Sequence, residues 1–172
     1  MLFFSLAYLC CLQYKYMKAA SVKDLKKELE QRSPYELVAL CLRLSKFKKE
    51  TKELLSYLLF EADDETAYIL RTQEEMAAQF AEINTKSSIY IKKGIGKILR
   101  QVKTSIRYSG KKETEVELLL FFCAQMKAFR PSIKKITILQ HLYERQLERI
   151  RKVIPMLHED LQYDYGVELD RL

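Results

Sequence analysis

From Ser21 onward the apolar residues fall into blocks with helical spacing, separated by short polar breaks. SVKDLKKELEQR opens on a serine suited to an N-cap, places Asp24 in the first turn and stops at Ser33-Pro34, which predicts a short amphipathic helix. Pro34 suits the first position of a second helix, PYELVALCLRLSKF, in which Leu37, Leu40, Cys41 and Leu44 recur at steps of three and four. The third, KKETKELLSYLLFEA, is apolar over more than half its circumference through Leu54, Leu55, Tyr57, Leu58, Leu59 and Phe60, the pattern of a central helix. The fourth, ADDETAYILRTQEEMAAQFAEIN, is acid-rich and carries Ile69, Met76, Phe80 and Ile83 along one stripe. A fifth covers KKGIGKILRQVKTSIRYSGKK, residues 92 to 112, and should end at Ser109-Gly110. The sixth, ETEVELLLFFCAQMKAF, is apolar nearly all round and predicts a second central helix.

The last segment places Ile136, Leu139, Tyr143, Leu147, Ile150, Ile154, Leu157 and Leu161 near the 3.5-residue period of a packed seam, as one long helix would. Pro155 falls within it, removes a backbone donor and predicts a kink or break near residues 151 to 155. The fold expected is all-α, a compact bundle or short helical array of six to seven helices with a long, Pro-kinked C-terminal helix, in a single domain from residue 17 to 172. Four Gly and three Pro in 172 residues leave few sites for tight hairpins, in keeping with that class. The word KKET, at 48 to 51 and again at 111 to 114, precedes a Leu-rich run both times, but the flanking sequences do not align as a repeat.

Charge changes the picture at one place. The formal net charge is +7, yet Lys86, Lys92, Lys93, Lys97, Arg100, Lys103, Arg107, Lys111 and Lys112 lie in a stretch without one carboxylate, so the rest of the chain stands at −2. At about 100° per residue, Ile91, Ile95, Ile98, Leu99, Val102 and Ile106 share one arc of the fifth helix and the cations take the opposite and flanking arc. Gly94 and Gly96 each cost such a helix about 1 kcal/mol relative to Ala, so either the regular helix begins after them or another backbone approaches closely there.

Lys92, Lys93, Lys97, Arg100, Lys103, Arg107, Lys111 and Lys112 are therefore the candidate partner-binding residues. Three readings of them stay open. They form a solvated face or meet counter-charges of the fourth helix and of Glu159, Asp160, Asp164, Glu168 and Asp170; they contact nucleic-acid phosphates; or they meet an acidic protein or anionic membrane. GIGK is not a phosphate loop, because Ile91 and Ile98 stand where the first Gly and the Ser or Thr belong, and Leu99 replaces the third Gly of a dinucleotide fingerprint.

The sequence points to no catalytic residue, metal site or cofactor. His141 and Glu144 stand three apart on one helix face, but no second such pair completes a metal site. Cys10, Cys11, Cys41 and Cys123 show no CxxC spacing; Cys41 and Cys123 sit in apolar runs as buried thiols would, which fits a reducing cytoplasm. Residues 1 to 16, MLFFSLAYLCCLQYKY, are too short for a membrane span and make a poor signal peptide; Met17 reads as the working start with the segment before it an upstream over-extension, the alternative being a secretion or anchoring segment, which a membrane role would need.

SVKDLKKELEQR followed by ELVALCLRL, residues 21 to 45, resembles the first two helices of the SAP-type DNA-binding motif, although the glycine-leucine loop of that motif is missing. The run DLKKELEQRSPYELVALCLRLSKFKKETKELLSYLLFEADDE is similar to a family of small all-helical bacterial proteins of unknown function, a resemblance that implies a helical fold and no activity. The functional expectation is a non-enzymatic interaction module, binding an unknown protein partner or a second copy of itself, with nucleic-acid binding through the same basic helix as the alternative. The apolar end of the chain, with Tyr163, Tyr165, Val167, Leu169 and Leu172, offers a surface for self-association.

Overall fold

The computed structural model describes residues 19–133 and 136–172, so the apolar segment 1 to 16 and the start at Met17 lie outside the described residues. The described chain is helical, with eight α-helices and no strand among the described residues. It divides into two compact units, one ending at Phe47 and the other beginning at Lys48.

The first unit contains α1 (Val22–Leu29) and α2 (Pro34–Ser45). Both start where the caps predict. The Asp24 amide donates to Ser21 Oγ at 3.2 Å, and at α2 Ser33 and Glu36 form a reciprocal capping box, with Ser33 N donating to Glu36 Oε2 at 2.9 Å. Such caps stabilise a helix by about 1 kcal/mol each. Neither helix has a buried residue, and Cys41 is exposed, contrary to the buried thiol expected of it. An apolar run marks a face that could be covered; it does not supply the neighbour that covers it.

The second unit is built around one helix. Its elements are α3 (Lys49–Phe60), α4 (Glu65–Ala81), α5 (Ser88–Ser109), α6 (Lys112–Ala128), α7 (Thr137–Val153), a 3-10 turn (Ile154–Met156) and α8 (Glu159–Asp170). Helix α6 buries Val116, Leu118, Leu119, Leu120, Phe122, Cys123 and Met126, and α4, α5, α7 and α8 all pack against it. Phe122 meets Phe80 of α4 with ring centroids 5.7 Å apart, a tilted contact that adds to simple burial. The prediction that the sixth helix is central therefore holds.

That for the third does not. In α3 only Tyr57 is buried, while Leu54, Leu58, Leu59 and Phe60 are exposed. The helix packs on α5, with Tyr57 reaching Tyr68 of α4, and the rest of its wide apolar arc stays exposed. The C-terminal segment differs too. Pro155 ends α7 through the 3-10 turn and a separate α8 follows, so the expected kinked rod is two helices. Tyr165 of α8 is buried and donates to Glu117 Oε1 of α6 at 2.7 Å, while Tyr143 of α7 donates to the Leu172 carbonyl at 2.9 Å. Leu169 and Leu172 pack on the core, and only Tyr163 of the apolar aromatics remains exposed. The end of the chain is thus folded onto its own core, and most of the surface expected for self-association is used internally.

Candidate functional site

Helix α5 is capped by Ser87, whose Oγ accepts from the Ile89 amide at 3.2 Å, and stops at Gly110 with φ of 68°, a left-handed conformation that favours glycine. Both internal glycines lie within it. At Gly94 an added Cβ would stand 3.1 Å from Ile83 Cγ1, so the neighbour there is a side chain from the segment joining α4 to α5 and not the backbone expected. Nothing lies within 4 Å of a Cβ at Gly96, and no contact explains that glycine.

The two sides of α5 are as the periodicity predicts. Ile91, Ile95, Ile98, Leu99 and Val102 are buried, with Ile95 at 0% exposure. Lys93, Lys97, Arg100, Lys103, Arg107, Lys111 and Lys112 are exposed and Lys92 is half-buried. Internal counter-charge is scarce. Among the described residues only Lys111 and Lys112 of these eight are in salt bridges, with Glu65 at 2.9 Å and Glu115 at 3.2 Å. Neither the acidic face of α4 nor Glu159, Asp160, Asp164, Glu168 and Asp170 of α8 pairs with the others; Arg71 takes Glu61 and His158 takes Asp160.

The sequence treats the cations as one stripe, whereas the structure distributes them over a ridge with a concavity on either side. On the α3 and α4 side, Lys97 and Arg100 line a groove of about 790 Å³ together with Glu50, Glu53, Glu61 and Glu75, where charges of both signs nearly balance. Tyr108 of α5 donates across this groove to Glu53 Oε2 at 2.8 Å; burial and that bond push its hydroxyl up to about 12. Tyr68 of α4 donates to the Ser105 carbonyl at 3.2 Å, and the Tyr57 and Tyr68 rings meet edge to face at 4.8 Å. These contacts fix α3 and α4 against α5.

On the other side, α5, the start of α6 and α7 enclose a pocket of about 520 Å³. Lys103 and Arg107 enter from α5, Lys111 and Lys112 from the α5–α6 turn, and Arg145 and Arg149 from α7, over an apolar floor of Leu99, Ile106 and Leu119. One carboxylate, Glu115, shares the lining. It accepts from Arg149 Nε at 2.6 Å and Lys112 Nζ at 3.2 Å. Burial alone would raise Glu115, but those two bonds outweigh it and hold the carboxyl below its ordinary range, ionised at neutral pH.

The arrangement is unfavourable in isolation. Lys103 and Arg107 stand four residues apart on α5, as do Arg145 and Arg149 on α7, a like-charge spacing that costs about 0.2–0.5 kcal/mol per pair. Lys111 and Lys112 occupy the N-cap and first position of α6, the end at which cations oppose the helix dipole by about 0.3–1 kcal/mol each, and Lys111 supplies no side-chain cap.

Arg145, Arg149 and Glu115 were not legible as site residues. The only local signal is the pair of arginines four apart, flanking a buried Gln146, on a helix whose other exposed positions carry both signs. Their meeting with α5 depends on how α7 packs, which no local pattern encodes.

The turn carrying Lys111 is held by a second, internal carboxylate. Glu65, at the start of α4, accepts at Oε1 from Ser109 Oγ (2.5 Å) and Thr114 Oγ1 (2.6 Å), and at Oε2 from Tyr57 Oη (2.8 Å), with Lys111 Nζ at 2.9 Å. Burial pushes Glu65 up, but the bonds from Ser109, Thr114, Lys111 and Tyr57 together bring it down to about 2. One side chain thereby ties α3, α4, the end of α5 and the start of α6.

The other titratable groups are inert or dispersed. Cys123 is buried and its thiol is pushed up to about 12, so it is protonated and unreactive. His141 and Glu144 are exposed, and among the described residues no three His, Cys, Asp or Glu side chains converge as a metal site would require. No helix among the described residues is long and apolar enough to cross a membrane. No protein-family model, curated protein or solved structure matches this chain. Function has to be read from the surface itself.

Proposed function

We propose that this protein is a non-enzymatic interaction module that docks an anionic macromolecule on the cationic ridge of α5. The observation that carries this is the row Lys93, Lys97, Arg100, Lys103 and Arg107, exposed and in no salt bridge among the described residues although an acidic helix packs directly beside it. A fixed row of cations held in no ion pair among the described residues raises the local concentration of anions and steers them to the surface. The rigid seat of α5 adds to this, since its apolar side is buried against α6 and its ends are fixed by Ser87 and Gly110. That no poised acid or nucleophile stands out among the described residues supports the second half of the proposal; the carboxylate at Glu65 and the thiol at Cys123 both titrate far from neutral pH.

Nucleic acid is the more specific reading of the same surface. From Lys93 to Arg107 the cations recur every three or four residues, about 5 Å apart along an axis of about 21 Å, a linear density suited to successive phosphates of one strand. The test compares the wild-type protein with a Lys93→Gln, Lys97→Gln, Arg100→Gln variant on heparin resin and with a generic oligonucleotide over a salt series. The expected result is elution of the variant at lower salt and a flatter dependence of oligonucleotide affinity on salt, by about one unit of slope for each phosphate that no longer meets a cation. Unchanged elution overturns the docking face. Changed elution without oligonucleotide binding leaves an acidic protein as the partner.

A further inference from the structure

We propose that the pocket between α5, the start of α6 and α7 binds the phosphate group of a small phosphomonoester. The inference deepens the reading of the cationic ridge, since Lys103 and Arg107 belong to both, but it assigns a separate, concave site with its own ligand.

Three features carry it. First, six cations from three different helices converge on one cavity against a single lining carboxylate. Surface cations ordinarily separate; here the fold draws them together in positions that oppose one another and the α6 dipole. Second, donors of four of them are left available, Lys111 and Lys112 being engaged by Glu65 and Glu115. Glu115 holds Arg149 through Nε alone, and the terminal nitrogens of that guanidinium have no partner among the described residues. Lys103 and Arg145 make no hydrogen bond or salt bridge among the described residues, and Arg107 has only Tyr108, whose ring centroid is 5.9 Å from its guanidinium carbon. Guanidinium forks set at a cavity wall match the oxygens of a phosphate better than lone lysines do. Third, the cavity is larger than a phosphate ion needs and falls within the range of small-molecule sites, about 300–1,000 Å³. Leu99, Ile106 and Leu119 form its floor, with Leu119 2% exposed, so the remainder of the ligand is expected to be apolar or flat.

Glu115 has a defined part in this. With 8% of its side chain exposed and two cations bonded to it, it orients Arg149 and Lys112 and leaves Lys103, Arg107 and Arg145 in no ion pair among the described residues, while Lys111 is held by Glu65. It is a positioning residue and would not touch the ligand.

The experiment uses the full chain, with phenyl phosphate as the phosphomonoester, inorganic phosphate as the bare group, and sodium chloride at matched ionic strength. Thermal shift and calorimetry should show saturable binding of phenyl phosphate, tighter than that of inorganic phosphate, and no comparable shift with chloride. Arg145→Gln, an exposed residue with no partner to lose, should weaken phenyl phosphate by about tenfold, the worth of one charge-assisted contact. An unphosphorylated oligonucleotide separates this site from the ridge. It should bind Arg145→Gln and wild type alike, and bind more weakly to the Lys93, Lys97, Arg100 variant, which in turn should keep phenyl phosphate binding. If the ridge variant changes nothing while phenyl phosphate still binds, the macromolecular reading fails and the pocket stands. Equal phenyl phosphate affinity in Arg145→Gln and wild type, or a thermal shift matched by chloride, overturns the pocket, as does a parallel weakening of phenyl phosphate and oligonucleotide in Arg145→Gln.

Discussion

Replacing Glu65 by Gln should cost this protein a substantial part of its stability, and the size follows from the bonds the carboxylate makes. Four donors meet two oxygens: Ser109 and Thr114 at Oε1, Tyr57 and Lys111 at Oε2. A glutamine keeps the volume but turns one acceptor into an amide that faces either the two hydroxyls or the ammonium. The ionised form is favoured in the fold by a fall from 4.5 to about 2, which at about 1.4 kcal/mol per unit is on the order of 3 kcal/mol. With the side chain 15% exposed, little of that is lost to solvent screening. The sign is fixed by proton counts. Because the folded value lies below the unfolded one, the unfolded chain binds more protons between them; the contribution is complete above about pH 4.5 and disappears as pH falls toward 2. The chain contains no Trp, so urea unfolding is best followed by far-UV circular dichroism, at pH 7 and pH 3. Glu65→Gln should be less stable than wild type by about 2–3 kcal/mol at pH 7, with the gap roughly halved at pH 3. A gap below about 0.5 kcal/mol, or one equal at both pH values, would refute the account of Glu65 as the tie between four helices.

Two shorter predictions join those for the ridge and the pocket. Under native conditions a thiol reagent followed by peptide mass mapping should label Cys41, which is exposed, long before Cys123, which is buried with its thiol raised to about 12; equal rates would mean that the α6 core opens freely. Gly110→Ala should destabilise by about 1 kcal/mol, since the left-handed φ of 68° strains any residue with a Cβ although the space is open; no change in urea midpoint would show the turn to be pliable.

The elements that were legible are those whose partners do not matter. Ser21, Ser33 and Gly110 mark helix ends by local chemistry alone, and the three-four spacing of Ile91, Ile95, Ile98 and Val102 specifies which side of α5 is buried whatever covers it. Central position is a different kind of property. Helices α3 and α6 both begin with KKET at the N-cap and run into leucines, yet only α6 is surrounded. Composition reports how much of a helix could be covered; the number of neighbours is set by topology. Pro155 was legible as an interruption, but whether the chain bends or folds back depended on Tyr165 finding Glu117. The cationic side of α5 was likewise readable, while the pocket beside it needed Arg145 and Arg149, more than thirty residues beyond the end of α5, to arrive from another helix.

The enclosed position of α6 also sets an order of events during synthesis. As the chain emerges from its N-terminal end, α4 and α5 appear with Ile95, Ile98 and Phe80 prepared for a neighbour that has not been made. The ribosome must deliver residues 112 to 128 before those side chains are shielded, and α7 and α8 before α6 is itself covered. A nascent protein halted at the α5–α6 turn would carry a naked oily flank next to a strongly cationic one, and would be a natural client for chaperones until the last third of the molecule arrived.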